Sequence, residues 1–171
     1  MKILQKTNKK LRLKSDPVLG EITSDVRKLA IDLKKALAAS GNGVGIAAIQ
    51  IGVPVRMIAV AVDSIKKPTI MINPHIVEFS SEQEVGEEGC LSVAGEFGLV
   101  SRAKTVMVEF KTLSGVVMLK VYEGFTARCI QHEVDHLDGI LFIDKVVDGF
   151  ASRSVKPSPQ YIYGSKIIIR S

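Results

Sequence analysis

His132-Glu133-Val134-Asp135-His136 is the feature that most constrains this chain. Residues at i and i+4 of a helix lie on one face, one turn apart. Two imidazoles so placed can bind one metal ion, with the intervening Glu close to water at that ion. At about 100° per residue, Phe125, Cys129, His132 and His136 share a stripe roughly 60° wide. Ala127, Ile130, Val134 and Leu137 form an apolar stripe on the opposite side. Arg128, Gln131, Asp135 and Asp138 form a polar one, and this is the stripe expected to face solvent. Glu133 lies away from the other polar residues, on a side that reads as buried. A carboxylate there is costly unless a cation or a hydrogen bond compensates it.

Catalytic sites of this kind hold three protein ligands and keep one position open. The helix supplies two. His75, Cys90 and Cys129 are the candidates for the third. His75 follows Asn73-Pro74 and reads as a surface residue in a turn. Cys129 sits one turn before His132, where it reads as packing beneath the site. Cys90 is favoured, because Glu88-Gly89-Cys90-Leu91-Ser92 has no strong helix signal and its Gly lets backbone approach a ligand closely.

The surrounding pattern is α+β: mostly antiparallel strands packed around a buried central helix that carries HExxH, with a second, N-terminal helix. That second helix runs from a cap at Thr23 or Ser24 to about Ser40, with Val26, Leu29, Ala30, Leu33 and Leu37 as its apolar stripe. Gly41 and Gly43 end it. Val53–Val62, Pro68–Ile72 and Ile76–Val85 read as strands. Leu99–Phe110 and Val116–Tyr122 read as a hairpin around Leu113-Ser114-Gly115, and Ile140–Val147 follows the central helix. Residues 1–150 are expected to form a single domain, and 151–171 a variable basic tail. Pro157, Pro159 and Gly164 oppose a long helix there.

The 171 residues include 46% hydrophobic and 24% charged side chains, an ordinary globular balance. Gly43–Val62 is the one segment apolar enough to raise a membrane question, but Gln50, Pro54 and Arg56 interrupt it. Two cysteines and no secretory pattern at the N-terminus point to a reducing compartment, the cytoplasm. Residues 1–14 carry six Lys or Arg and no acid, against a net charge of +5 for the whole chain. Basic termini of this sort can favour a polyanion such as RNA or simply be solvated ends, and there is no motif for reading a specific nucleic-acid sequence.

Three segments together resemble the signature motifs of the peptide deformylase family. They are Gly43-Val44-Gly45-Ile46-Ala47-Ala48-Ile49-Gln50, Glu88-Gly89-Cys90-Leu91-Ser92 and Gln131-His132-Glu133-Val134-Asp135-His136. The resemblance covers roughly residues 5–147. It implies a metallohydrolase that removes the formyl group from N-formyl-methionyl nascent peptides and releases formate. Cys90, His132 and His136 would be the metal ligands, with water as the fourth. The resemblance implies one divalent ion per chain, usually Fe²⁺ in the cell, with Zn²⁺, Ni²⁺ or Co²⁺ able to occupy the site. Glu133 would be the general base and acid, and the Gln50 amide and the Leu91 backbone N–H the oxyanion donors. Val44, Gly45 and Gly89 would lie along the substrate backbone. Val44, Phe125, Cys129 and the carbon part of Glu88 would line the methionine pocket. Two departures stand out. Val93-Ala94-Gly95-Glu96-Phe97 replaces the family's Ile-Pro and nearby peptide-holding Arg, and the tail lacks the basic helix linked to ribosome docking. A paralogue with weak turnover, retained as a ribosome-associated binding protein, is the alternative.

Overall fold

The computed structural model describes residues 2–61 and 67–147. The expected tail, 151–171, and the end of the first expected strand at 62 lie outside the described residues. Helix α1 is Ser24–Ala39. Thr23 is its cap, with Oγ1 accepting from the Val26 N–H at 3.4 Å. The helix closes at Ser40, whose hydroxyl donates to the Leu37 carbonyl at 2.6 Å and accepts from the Gly43 N–H at 3.0 Å.

Seven strands follow: β1 Gly45–Ala47, β2 Met57–Val60, β3 Thr69–Phe79, β4 Gln83–Cys90, β5 Val93–Ala103, β6 Thr105–Lys111 and β7 Val117–Glu123. They form a five-stranded sheet in the order β1-β2-β3-β6-β7 and a two-stranded ribbon, β4-β5. All these pairings are antiparallel. Helix α2, Gly124–Leu137, carries the HExxH pattern. The fold is therefore the expected α+β arrangement.

Alternation along the strands divides the apolar residues between two cores. On β2, Ile58 and Val60 face a core shared with Ala127, Ile130 and Leu137 of α2. Met57 and Ala59 face the other way, into a core with Ala30, Leu33 and Leu37 of α1. A period of two thus places one helix on each face of the sheet. The β4-β5 ribbon covers α2 from its far side, and α2 becomes the buried centre of the molecule.

That position corrects the reading of the polar stripe as solvent-facing at Arg128 and Gln131, while Asp138 is exposed as expected. Arg128 and Gln131 are only 8% and 5% exposed. Gln131 pairs with the backbone of Ala103, accepting at 3.1 Å and donating at 2.8 Å. Arg128 donates to the Val100 carbonyl at 2.9 Å and to the Glu84 carbonyl. These side chains satisfy strand backbone that the helix would otherwise bury unpaired, at about 1–3 kcal/mol per group.

Three strand boundaries differ from expectation. Asn73-Pro74 is no turn: β3 passes through it with a register shift between Ile72 and His75. Asn73 takes φ 51° there, and its side chain accepts from Val18 N–H and donates to the Val18 carbonyl, both at 2.8 Å. The single strand expected over Ile76–Val85 is two strands, parted where Ser80 donates to the Glu82 carbonyl at 2.9 Å. Leu99–Phe110 likewise breaks at Lys104, because β5 belongs to the ribbon and β6 to the large sheet. After α2, Gly139 takes φ 74° and an added Cβ would lie 2.5 Å from the Arg12 carbonyl, so only glycine fits. The chain then makes a short 3-10 turn, Phe142–Asp144, and bridges Val146 to Val100. Gly43–Val60 forms β1, a 3-10 turn and β2, and no helix among the described residues is long and apolar enough to cross a membrane.

Candidate metal centre and active site

Helical spacing sets His132 and His136 with ring centroids 5.0 Å apart, edge to face. Cys90 is the last residue of β4, where Leu91-Ser92 turns the chain into β5. Its Sγ lies 3.2 Å from His136 Nε2. One ligand atom from each of Cys90, His132 and His136 falls within 4.8 Å of the others, and this is the sole group of its kind among the described residues. The alternatives for the third ligand do not join it. His75 is exposed on β3, opposite Glu109. Cys129 is buried in the α2 core, where burial pushes its thiol well above the usual range.

Gln50 reaches the same place from the 3-10 turn Ala48–Ile51. Its Oε1 accepts from the Ala47 N–H at 2.8 Å, which orients the amide. Nε2 then donates to Ser92 Oγ at 3.1 Å and lies 3.6 Å from Cys90 Sγ. The Ser92 N–H donates to the same sulfur at 3.4 Å. Ser92 is fully buried and was not among the expected site residues, although it closes the Glu88–Ser92 motif.

Glu133 is 5% exposed, and its Oε2 has no hydrogen-bond partner. Burial pushes its carboxyl up to about 7. The carboxylate packs on the backbone of β1: a Cβ at Gly45 would stand 2.5 Å from Glu133 Oε1. Gly45 is therefore needed to seat Glu133, a constraint the sequence did not disclose.

Burial also dominates the two imidazoles. It lowers both, but hydrogen bonds with Cys90 and Glu88 reverse the effect at His132 and raise it well above its ordinary value. At His136 burial and the neighbouring His132 act together and hold the ring well below its ordinary value.

Sulfur and imidazole donors that converge this closely fit a borderline divalent cation. The unpartnered buried carboxylate beside them fits a site completed by water and cation rather than by protein.

Of the residues expected around the substrate, Val44 is half-buried against the α2 core, and Gly89 pairs with Phe97 near the end of β4. Phe125 is 56% exposed at the start of α2. Glu88 is buried and held by its carboxylate. Its carboxylate accepts from Arg102 Nε and Nη2, Arg128 Nη1 and His132 Nδ1, all at 2.9 Å. Burial alone would raise the carboxyl. The Arg102 and His132 hydrogen bonds outweigh burial and hold it well below the usual carboxylate range. Arg102 and Arg128 had no motif to mark them, since each meets Glu88 only through the β4-β5 pairing or across the helix-ribbon interface.

The sequence profile described as polypeptide deformylase matches residues 1–150. The chain belongs to the polypeptide deformylase family. Its relatives include the peptide deformylase of Desulforudis audaxviator, 46% identical over 137 residues, which span 76% of this chain and 88% of the relative. Among solved structures, the peptide deformylase of Thermotoga maritima superposes with a TM-score of 0.80 at 34% identity, covering 85% of this chain and 97% of that one. The Met-Ala-Ser-bound class I type b peptide deformylase of Acinetobacter baumannii gives a TM-score of 0.77 at 41% identity, covering 84% and 96%. As a deformylase the chain is a metal-dependent hydrolase that removes the N-formyl group from new polypeptides.

Proposed function

We propose that Cys90, His132 and His136 hold one divalent cation for deformylation and that Glu133 carries the proton. The observation that carries this reading is the convergence of the three ligand atoms within 4.8 Å, beside a buried carboxylate whose Oε2 lacks a partner. When bound, the cation supplies a Lewis acid that polarises the formyl oxygen and acidifies the attacking water. Glu133 takes the water's proton and later gives it to the leaving amine. A carboxyl set near neutrality by burial suits both transfers. The Gln50 amide and the Leu91 backbone N–H donate to the oxyanion that forms at the formyl carbon. The hydrogen bond from Ala47 supports this role for Gln50, because it turns Nε2 rather than Oε1 toward Cys90.

Val44, Gly45 and Gly89 guide the substrate backbone. Among the described residues β1 is an edge strand of the large sheet and β4 pairs only with β5, so both offer an edge that a peptide can join as an added strand. Val44, Phe125 and Cys129 meet the methionine side chain. The 56% exposure of Phe125 is apolar surface that such a side chain would cover.

Fe²⁺ is the ion we assign in the cell, with Zn²⁺, Ni²⁺ or Co²⁺ able to take its place, since thiolate and imidazole suit all four. The site of action is the cytoplasm, where a ligating thiol stays reduced. The six basic residues of segment 1–14 support contact with the ribosome by charge. The catalytic unit is a single domain spanning residues 1–150. Intact Gln50, Cys90 and Glu133 argue against a ribosome-bound paralogue without turnover.

Paired peptides that differ only in a formyl or acetyl cap on methionine test the reaction class. Deformylation predicts release of formate with little or no release of acetate. Equal rates on both caps would indicate a general amidase instead.

A further inference from the structure

We propose that Glu88 is a positioning residue that presents His132 to the metal, and that Arg102 and Arg128 lock it in place. The inference rests on the reading of Cys90, His132 and His136 as the ligand set. A neutral imidazole can ligate only through the ring nitrogen that carries no hydrogen. His132 Nδ1 lies 2.9 Å from Glu88 Oε2. A carboxylate gripped by two guanidiniums accepts rather than donates, so Nδ1 holds a hydrogen and Nε2 is the nitrogen left to ligate the cation once it gives up its own proton. His136 has no such device, because its Nδ1 is buried without a partner. The protein therefore fixes the tautomer of one imidazole of the pair.

The carboxylate that does this cannot swing away. Glu88 is 6% exposed and sits near the end of β4. From β5, Arg102 grips both of its oxygens, with Nε on Oε1 and Nη2 on Oε2 at 2.9 Å each. From α2, Arg128 adds Nη1 to Oε1 at 2.9 Å. Both arginines are themselves anchored. Arg102 pairs with Asp135, and Arg128 donates to the carbonyls of Glu84 and Val100. Gly86 makes room for Arg128, since a Cβ there would come within 3.0 Å of the guanidinium carbon. The network thus clamps the metal-bearing helix to the ribbon that delivers Cys90. It also gives Glu88 a role different from lining the methionine pocket.

Outer partners of metal-bound histidines typically account for 10–100-fold in metal affinity. The test is competition for Zn²⁺ against a chromophoric chelator, on wild type and Glu88→Gln, with kcat and KM for formyl-Met-Ala-Ser on the Zn²⁺-loaded proteins. The expected result is a Zn²⁺ affinity roughly 10–100-fold weaker in the variant with KM almost unchanged. Unchanged affinity with a raised KM would overturn the proposal and return Glu88 to the pocket wall. Wild-type protein that takes up no Zn²⁺ would remove the ligand assignment itself, and this inference with it. If Glu88→Gln does not fold, ring-nitrogen NMR of wild-type Zn²⁺ protein decides. Metal on His132 Nε2 with a slowly exchanging hydrogen on Nδ1 supports the proposal, and metal on Nδ1 overturns it.

Discussion

Replacing Glu133 by Gln lowers kcat by roughly 10²–10⁴-fold, the usual worth of general acid-base catalysis, and leaves the metal content unchanged. Gln keeps the volume that fits against Gly45, where Glu133 Oε1 already leaves no room for a Cβ. What it loses is the ability to accept and return a proton. The stability of the metal-free protein should move the other way. Burial pushes the Glu133 carboxyl up to about 7, above its ordinary 4.5, so folding favours the protonated form. That stabilisation is complete below the ordinary value and is lost as the pH rises through about 7. Gln carries no charge to bury, so above pH 7 the metal-free variant should melt higher than metal-free wild type. Steady-state kinetics, metal analysis and thermal unfolding on the same samples check all three points. A kcat within a few-fold of wild type would remove Glu133 from the proton path.

Replacing Cys90 by Ser has the second large effect, and it falls on metal content first. The thiolate gives way to a hydroxyl that stays protonated at neutral pH and is a poor ligand. Two donors then remain on α2. The contacts that Gln50 and the Ser92 N–H make with the sulfur are lost as well. Loss of a direct ligand should exceed the 10–100-fold that outer partners cost, so the variant retains well under one ion per chain after dialysis. Turnover should fall in proportion to occupancy. Elemental analysis together with chelator competition measures it. Full occupancy and full activity in Cys90→Ser would place the third ligand elsewhere, with Cys129, on the same stripe of α2, the first to re-examine.

Much of this site was legible because its parts sit in short motifs with local meaning. His132, Glu133 and His136 follow from helical spacing alone, and Cys90 from a glycine-bearing segment without helix signal. The fold class was legible for a similar reason, since α1 is a regular amphipathic helix and the β6-β7 hairpin carries its turn signal at Leu113-Ser114-Gly115. The errors lie where the partner is distant in sequence. Arg128 and Gln131 read as a wet face because polarity marks a solvated stripe only on a helix with one covered side, and α2 has the sheet on one side and the ribbon on the other. Asn73-Pro74 read as a turn because nothing local shows that the Asn73 side chain will bond Val18 across 55 positions. The partners of the Glu88 carboxylate were hidden because Arg102, 14 positions away, becomes its neighbour only when β4 pairs with β5. Nor does anything local show that Gly45, by lacking a side chain, also makes room for Glu133.

Formate release from formyl-Met-Ala-Ser by anaerobically purified protein, with the metal counted on the same sample, tests the central claim most directly. The account predicts turnover that scales with occupancy and saturates at about one ion per chain, the number that a single triad of ligands holds. A fully loaded protein that releases no formate would contradict it.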